Sequence, residues 1–327
     1  MEVGLIEDSE LGMAPPLAPF ARLVNRLSRL AADLPLGMAA GLLTSAKRRV
    51  LNDAGMLIAT TNGMGLALAI AKMLGLVKAP VVLLAMGLLP NRPTRWQRLL
   101  IGACARRLHI VCISKGEQAH LEQWLQDTPV HYVPFGVDAA FWRPEPEPSG
   151  GYALAIGNDR NRDWATLVAA WSADLPPLKI VTGLAVPPAQ DNVEVIRGDW
   201  RTQALSDEQI RVLLQNADFV IVPCRETMQP AGQSATLQAM ACGKAVILSN
   251  IAGLWDRELL VDGDTVELVP PGDAAALADK ARLLATDPAF AAALGAKART
   301  VVEEHLNVDA MASALADLLP RIATAHP

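Results

Sequence analysis

Short apolar runs alternate with longer segments of helical periodicity along the whole chain. The runs predict β-strands at Val3–Glu7, Gly55–Thr60, Pro80–Met86, His109–Ile113, Val130–Pro134, Ala153–Ile156, Leu178–Val181, Val193–Arg197, Phe219–Val222 and Ala245–Leu248. The intervals predict helices at Phe20–Ala32, Gly65–Leu74, Arg95–Arg107 (capped by Thr94), from the cap Ser114 through Leu125, Trp164–Trp171, Asp207–Gln215, Ser234–Ala241 and from about Ala274 onward. Strands that alternate with helices are typical of parallel sheets, so the predicted fold class is α/β.

A stretch of alternating prolines separates the two series of strands. Residues 143–151 read Arg-Pro-Glu-Pro-Glu-Pro-Ser-Gly-Gly, and prolines at this spacing exclude both a helix and ladder pairing. We therefore expect a Rossmann-like lobe at residues 1–143, a linker at 144–151 and a second lobe at 152–327, with the option that the last helix packs back on the first lobe. Ligands are then expected in a central cleft, at the carboxyl ends of the strands.

Length and composition agree with this organisation. The 327 residues suit two α/β lobes, and the four cysteines stand far apart, which predicts reduced core thiols and no structural metal. The N-terminal MEVGLIEDSELG has neither the basic start nor the apolar run of a signal peptide. The uncharged stretch Ala54–Ala71 is interrupted by Thr60–Asn62, which favours a strand, a turn and a helix over a membrane span. We expect a cytoplasmic protein.

Charge is distributed unevenly. Arg22–Arg107 holds thirteen Lys/Arg and two acids, a local charge of +11, so the remainder carries −16 of the net −5. A basic lobe suits an anionic membrane surface on the inner face of the membrane, or an anionic acceptor; the alternative is a solvated face balanced by the acidic lobe. The helix at Arg95–Arg107, with Trp96 near its start, suits either a membrane interface or packing on the lobe. No aromatic-and-basic pattern for nucleic acid accompanies the charge.

The segment Pro223–Ile247 carries the strongest chemical signal. An apolar strand ends at Pro223, a polar loop follows, and Ala231-Gly-Gln-Ser234 turns into a helix that ends at Gly243. Gly232 permits close backbone approach, and the amides of the helix start, with Ser234 as its cap, predict an anion site.

This segment resembles the donor-binding motif of retaining glycosyltransferases of the two-Rossmann (GT-B) type, in particular of glycosyltransferase family four. Leu237–Ile247 is similar to the family's ending LEAMACGKPVI. Further pieces resemble the family in the same order, which extends the resemblance over roughly residues 105–305: Cys112–Ser114 with Glu117, Val133–Asp138, Ala155–Asn158 and Asn216–Pro223.

The chain departs from the family pattern at two positions that bear on chemistry. Gln238 stands where the family has a glutamate that holds the ribose hydroxyls; an amide still donates and accepts hydrogen bonds, but holds them less firmly than a carboxylate. The family's first glutamate falls on Pro230, and Glu226, earlier in the same loop, replaces it only if the loop bulges. Otherwise Glu226 is a solvated acid.

The resemblance implies roles for the remaining residues, each with an alternative. Arg160 and Arg162 stand where the family binds the donor diphosphate, or they belong to a solvated loop in which Asp163 caps a helix. Trp200 either flanks a uracil ring or is an ordinary core or surface tryptophan. As catalytic residues we expect Glu226, Arg160 and Arg162. The expected donor-binding residues are Gly157, Asn158, Trp200, Gly232, Gln233, Ser234 and Gln238.

On the acceptor side, the expected residues are Glu7, Asp8 and Asn62, which follow predicted strands of the first lobe. The resemblance implies a retaining transfer from a nucleoside diphosphate sugar, with UDP favoured, to a hydroxyl of a glycan or lipid-linked acceptor. The nucleotide sugar is a co-substrate, and neither a cofactor nor a metal is expected, because arginines and helix amides take the metal's place. The alternative is a non-catalytic protein that binds nucleotide sugars, which Gln238 and Pro230 favour.

Overall fold

The computed structural model describes Ala39 and residues 45–145, 150–198 and 205–324. The predicted strand Val3–Glu7 and helix Phe20–Ala32 lie outside these residues, as do residues 146–149 of the predicted linker. In the described residues no helix is long and apolar enough to cross a membrane.

Two compact units make up the described chain. One contains the residues up to Val133 together with those from Ala314 onward, and the other is Pro134–Ser313. The division thus falls before the predicted boundary at residue 143. Side chains of the second unit hold the intervening segment: Arg299 donates to the Trp142 carbonyl at 2.7 Å, and Gln215 donates to the Arg143 carbonyl at 2.7 Å.

The first unit is built around a four-stranded parallel sheet in the order β1-β2-β3-β4. Its elements up to Val133 are α1 (Ser45–Asp53), β1 (Leu57–Ala59), α2 (Asn62–Met73), β2 (Val81–Ala85), α3 (Arg95–Ala105), β3 (His109–Cys112), α4 (Lys115–Trp124) and β4 (Val130–Tyr132). Helix α2 lies close on the sheet, because an added Cβ at Gly65 would stand 2.6 Å from Leu83 Cδ1.

The second unit contains a six-stranded sheet in the order β10-β9-β8-β5-β6-β7, with every described pair parallel. Its elements are β5 (Ala153–Ile156), α5 (Trp164–Ala170), β6 (Leu178–Thr182), β7 (Val193–Arg197), α6 (Asp207–Asn216), β8 (Phe219–Val222), α7 (Gln233–Ala241), β9 (Ala245–Ser249), β10 (Glu267–Val269), α8 (Ala274–Thr286) and α9 (Pro288–His305). A last helix, α10 (Val308–Thr324), starts in this unit, and its residues from Ala314 belong to the first.

Alternating side chains of β8 enter two different cores. Val220 and Val222 belong to one buried cluster, and Phe219 and Ile221 belong to another. Because successive strand residues point to opposite faces, apolar layers cover this sheet on both sides. The parallel sheets confirm the predicted α/β class, and the four cysteines are free and buried.

Helix starts follow the predicted capping chemistry in three places. Thr94 forms a capping box with Gln97, Ser114 accepts from the Glu117 amide at 3.1 Å, and Asp163 accepts from the Thr166 amide at 3.2 Å. The prediction for Ser234 is wrong: α7 begins one residue earlier, and its N-cap is Gly232, which has a left-handed conformation with φ +85°. Two short elements, α1 and β10, were not predicted.

Candidate functional site

The candidate site starts at the loop 157–163, which follows β5. Backbone and side chains tie it to the loop after β8: the Asp163 amide donates to the Pro223 carbonyl at 3.0 Å, and Asn161 Nδ2 donates to Gln229 Oε1 at 3.1 Å. Since β5 and β8 are parallel neighbours, both loops leave from the same edge of the sheet. Residues that are far apart in sequence therefore form one polar cluster.

Arg162 lies inside this cluster, with only 5% of the residue exposed. Its Nη1 lies 3.2 Å from Cys224 Sγ and 3.4 Å from Asp159 Oδ2, while its Nε is buried and has no hydrogen-bond partner among the described residues. The Asp159 side chain is 39% exposed, so its charge is partly screened by solvent. Within the described part of the chain, the ion pair of this buried charge is with the partly solvated Asp159 carboxylate, so the charge could also stabilise an anion.

Two glycines enclose the Arg162 guanidinium. A Cβ at Gly157 would stand 1.8 Å from Arg162 Nε, and a Cβ at Gly232 would stand 2.7 Å from Nη1 and 2.5 Å from Val222 Cγ1. A side chain at Gly157 would displace the guanidinium, and one at Gly232 would also meet Val222 from a left-handed backbone. A ligand that contacts the backbone at these glycines would therefore approach the buried charge closely.

The predicted diphosphate-binding pair is divided between surface and interior. Arg160 is exposed, whereas Arg162 lies beneath the two glycines. Of the two, Arg160 has the freedom to contact a ligand directly. Arg162 lies below the surface, where a charge interacts more strongly than in water.

Asn158, a predicted donor-binding residue, joins the ends of three strands. Its Nδ2 donates to the Gly198 carbonyl at 2.7 Å, and its Oδ1 accepts from the Gly183 amide at 2.6 Å and lies 3.3 Å from the Thr182 hydroxyl oxygen. The same hydroxyl donates to the Gly157 carbonyl at 2.7 Å. In this structure the Asn158 amide fixes the shape of the loop edge.

Helix α7 points its N-terminus at the same edge. Its N-cap, Gly232, makes no side-chain capping hydrogen bond, Gln233 is buried, and Ser234 is exposed. The first amides of a helix lack intrahelical acceptors and carry a partial positive charge. Together with Arg162 they give this edge two independent sources of positive potential.

Gln238 and Glu226 occupy different parts of the site. Gln238 is half-buried on the second turn of α7, and its side chain makes no hydrogen bond to the described residues. Glu226 is exposed, and its Oε1 accepts from the Ala252 amide at 2.9 Å. That contact turns the carboxylate toward the loop after β9, which packs tightly here because a Cβ at Gly253 would stand 2.3 Å from the Gln229 carbonyl oxygen.

Cys224 is the residue that sequence reasoning missed. It is fully buried; burial raises the pKa of its thiol, and the Arg162 charge lowers it. It contacts the guanidinium as a neutral thiol. An isolated antiparallel β-bridge between Arg162 and Cys224 also holds the two backbone segments together. Its position directly after the predicted strand end at Pro223 was the available signal.

In the first unit, three side chains hold the loop that follows β2. Asn62, a predicted acceptor-side residue, donates to the Met86 carbonyl at 2.8 Å and accepts from its amide at 3.3 Å. Glu117 Oε1 accepts from the Leu88 amide at 2.9 Å, and His120 Nε2 lies 2.9 Å from the Pro90 carbonyl oxygen.

Glu117 is 1% exposed, and its Oε2 is buried without a partner in the described part of the chain. Burial raises the pKa of this carboxyl, against the opposite effect of hydrogen bonds from the backbone of Leu88 and Gly87. The loop is thus fixed from beneath by a carboxyl whose charged form is disfavoured by burial.

The other predicted site residues, Glu7, Asp8 and Trp200, lie outside the described residues. Within the described ranges, no group of three or more His, Cys, Asp or Glu side chains is arranged to hold a metal ion.

Similarity to known proteins extends over both units. Residues 181–287 match the sequence model of the family described as Glycosyl transferases group 1. Alpha-maltose-1-phosphate synthase of Mycobacterium tuberculosis is 28% identical over an alignment of 198 residues that covers 51% of this chain and 50% of that protein. The enzyme of the same name from Mycolicibacterium smegmatis is 28% identical over 166 residues, 43% of this chain and 42% of that protein. The chain spans about half the length of the curated relatives it matches.

Solved structures match more of the chain at lower identity. Sucrose-phosphate synthase from Thermosynechococcus elongatus gives a TM-score of 0.73 at 20% identity and covers 91% of this chain and 80% of its own. HepE from Anabaena, in complex with UDP-glucose, gives a TM-score of 0.69 at 16% identity, covering 93% of this chain and 89% of its own. At these identities the likeness concerns the fold, which both share with this chain over most of its length.

Proposed function

We propose that this chain is a glycosyltransferase of the GT-B fold that transfers a sugar from a nucleoside diphosphate sugar, with UDP favoured, to a hydroxyl acceptor. The observation that carries this proposal is the meeting of the Arg162 charge and the α7 N-terminus at one strand edge, in the unit that contains the group 1 match. HepE, a structural neighbour, has been crystallised with UDP and with UDP-glucose, which supports the choice of uridine.

In the proposed reaction, the protein mainly contributes positive charge that stabilises the leaving diphosphate. The bond between the anomeric carbon and the diphosphate breaks with its electron pair on the leaving oxygen, and the acceptor hydroxyl oxygen forms the new bond while its proton departs to the diphosphate. Arg160 on the surface, Arg162 beneath Gly157 and Gly232, and the α7 amides stabilise the charge that develops. Removal of a single preorganised donor of this kind costs about 2.7–4 kcal/mol in comparable enzymes.

We further propose retention of anomeric configuration, independence of a metal, and a lipid-linked glycan as acceptor. Retention follows from the resemblance to family four. Metal independence is supported by the positive potential that Arg160, Arg162 and the helix start provide at the place where a metal would otherwise act. A lipid-linked acceptor, and with it a peripheral position at the inner face of the membrane, is supported by the basic first half of the chain.

A non-catalytic protein that binds nucleotide sugars is the second candidate. It is favoured by Gln238 and Pro230, which stand at the two positions where the family has glutamates, and by Glu226, whose carboxylate is engaged with the Ala252 amide.

A thermal-shift series with UDP, GDP, ADP, TDP and UDP-sugars, with and without EDTA, tests the donor proposal. We expect stabilisation by a uridine nucleotide that survives EDTA; the absence of a shift with every nucleotide would overturn it. Slow hydrolysis of the donor by the purified protein then separates the two candidates, because a binding protein releases no free sugar.

A further inference from the structure

Helix α3 presents two large apolar side chains to solvent. Trp96 is 70% exposed and Leu99 is 61% exposed. Residues three apart lie on the same face of a helix, so these side chains adjoin. A single exposed apolar side chain is ordinary, but an adjacent tryptophan and leucine form a small apolar surface.

Arginines flank this surface at both ends of the helix. Arg92 lies three residues before the helix, Arg95 is its first residue, and Arg106 and Arg107 follow its end. All four arginines are exposed. Arg106 pairs with Asp127 at 3.2 Å, whereas Arg92, Arg95 and Arg107 form no ion pair within the described part of the chain. Three guanidinium groups therefore have no counter-charge among the described residues.

The surrounding sequence adds positive charge and no negative charge. Residues 54–116 contain eight Lys/Arg and neither aspartate nor glutamate. Like charges approach one another here: the pKa of Lys72 is lowered by burial first and by the Arg107 charge second. A protein surface of this kind is electrostatically complementary to an anionic one.

We propose that this α3 face, defined as Trp96 and Leu99 with Arg92, Arg95 and Arg107, binds the surface of an anionic lipid bilayer. Tryptophan favours the headgroup level of a membrane, where its ring is buried while its N–H stays hydrated, and guanidinium groups bind lipid phosphates in a fork-like geometry. The apolar centre and basic rim match the two layers of that surface. This inference rests on the proposed function, because membrane binding would bring the enzyme to a lipid-linked acceptor.

Co-sedimentation with vesicles tests the proposal directly. We expect the whole chain to bind vesicles of phosphatidylcholine mixed with phosphatidylglycerol, to bind pure phosphatidylcholine vesicles far less, and to dissociate as salt is raised. Changing Trp96→Gln and Leu99→Gln together should lower the partition coefficient at least tenfold. Each of Arg92→Gln, Arg95→Gln and Arg107→Gln should lower it about fivefold, the effect typical of one basic residue near an anionic leaflet.

A matched control comes from the second unit. Val212 on α6 and Leu283 on α8 are 51% and 40% exposed, and Val212→Gln with Leu283→Gln also replaces two exposed apolar side chains, outside the α3 face. This control should bind anionic vesicles like the unchanged protein. Unfolding temperatures of all variants verify that each is folded.

Two results would overturn the proposal: no binding of the unchanged protein to anionic vesicles, or equal binding by the α3 variants and the control. Nucleotide-induced thermal shifts, measured on the same variants without vesicles, report on the donor site alone. Loss of vesicle binding with intact nucleotide shifts would support the α3 face. Absence of nucleotide shifts in every protein would contradict the proposed function instead.

Discussion

The guanidinium Nη1 of Arg162 lies 3.2 Å from the Sγ of Cys224, and this contact joins the loops that follow β5 and β8. Both residues are buried, so the contact fixes a positive charge close below the backbone at Gly157 and Gly232. An anion bound against this backbone would have the guanidinium close behind it. Such an arrangement favours transition-state charge with little reorganisation.

The first prediction separates the charge of Arg162 from its packing. Arg162→Met retains much of the side-chain volume and removes the charge. Replacing a buried charge by an apolar group of similar volume is often neutral for stability, so the free energy of unfolding should change less than in Arg162→Ala. Nucleotide affinity should fall about tenfold or more in both variants, as measured by titration calorimetry.

Arg160→Ala is the surface counterpart of that experiment. Because Arg160 is exposed, its loss should leave the unfolding free energy within about 0.5 kcal/mol of the original value. Nucleotide affinity should still fall, by about tenfold, if the side chain contacts the diphosphate. Unchanged affinity in both Arg162→Met and Arg160→Ala would rule out this edge as the diphosphate site.

The second prediction concerns Gly232. Alanine at this position would hold φ at +85° and would place its Cβ 2.5 Å from Val222 Cγ1 and 2.7 Å from Arg162 Nη1. Left-handed strain of about 1–2 kcal/mol and overpacking of about 1–3 kcal/mol should both lower the unfolding free energy in Gly232→Ala.

Gly263 provides the matched control, because its φ is +71° and nothing lies within 4 Å of the added Cβ. Gly263→Ala should show the strain alone, about 1–2 kcal/mol in urea unfolding. Equal losses in the two variants would mean that the close packing of Gly232 on Arg162 contributes nothing to stability.

The sequence predicted the second unit better than its site. The bounds of β5, β7 and β8 agree with the predicted strands, because Gly157, Gly198 and Pro223 directly follow these runs and mark where each strand ends. Strand β10 was missed because it is three residues long and starts with Glu267, whose charge is buried and paired with Lys280. An ion pair formed across the fold leaves no periodic signal.

Contacts between distant loops explain what the sequence did not reveal about the site. Both arginines of the loop after β5 were predicted as equivalent, yet only tertiary packing decides that Arg160 faces solvent and Arg162 faces Cys224. The N-cap of α7 was assigned to Ser234 because serine is a preferred cap. Gly232 takes that position instead, since only a left-handed residue without a side chain fits against Arg162 and Val222.

The third prediction addresses the missing carboxylate at Gln238. This side chain is half-buried and makes no hydrogen bond to the described residues, so a glutamate fits there without breaking one. If Gln238 faces the ribose hydroxyls, Gln238→Glu should tighten UDP binding several-fold, because a charged acceptor forms hydrogen bonds about twice as strong as a neutral one. Gln238→Ala should weaken it.

Donor hydrolysis, assayed alongside binding, gives Gln238→Glu a second readout. If UDP affinity and donor hydrolysis both rise, the original protein is an active enzyme whose activity Gln238 lowers. Tighter binding with no hydrolysis in either protein would favour the non-catalytic candidate. If neither variant changes UDP affinity, Gln238 does not contact the nucleotide.

The last prediction uses the buried carboxyl of Glu117. Its pKa in the folded state lies above the ordinary value of 4.5, mainly because of burial, so the folded protein holds this proton more tightly than the unfolded chain. The favourable contribution is therefore complete below about pH 4.5 and is lost as pH rises through the folded-state pKa. Glu117→Gln retains an acceptor for the Leu88 amide and does not titrate.

The unfolding free energy of Glu117→Gln, relative to the original protein, should consequently increase as pH rises above 4.5 and then level off. Glu122→Gln makes the same charge change at an exposed position of the same helix and controls for net charge. Glu117→Ala should instead lose about 1–3 kcal/mol, because the Leu88 amide then lacks its acceptor. A pH-independent difference between Glu117→Gln and the original protein would mean that the carboxyl titrates alike in both states, and that burial does not raise its pKa in the folded protein.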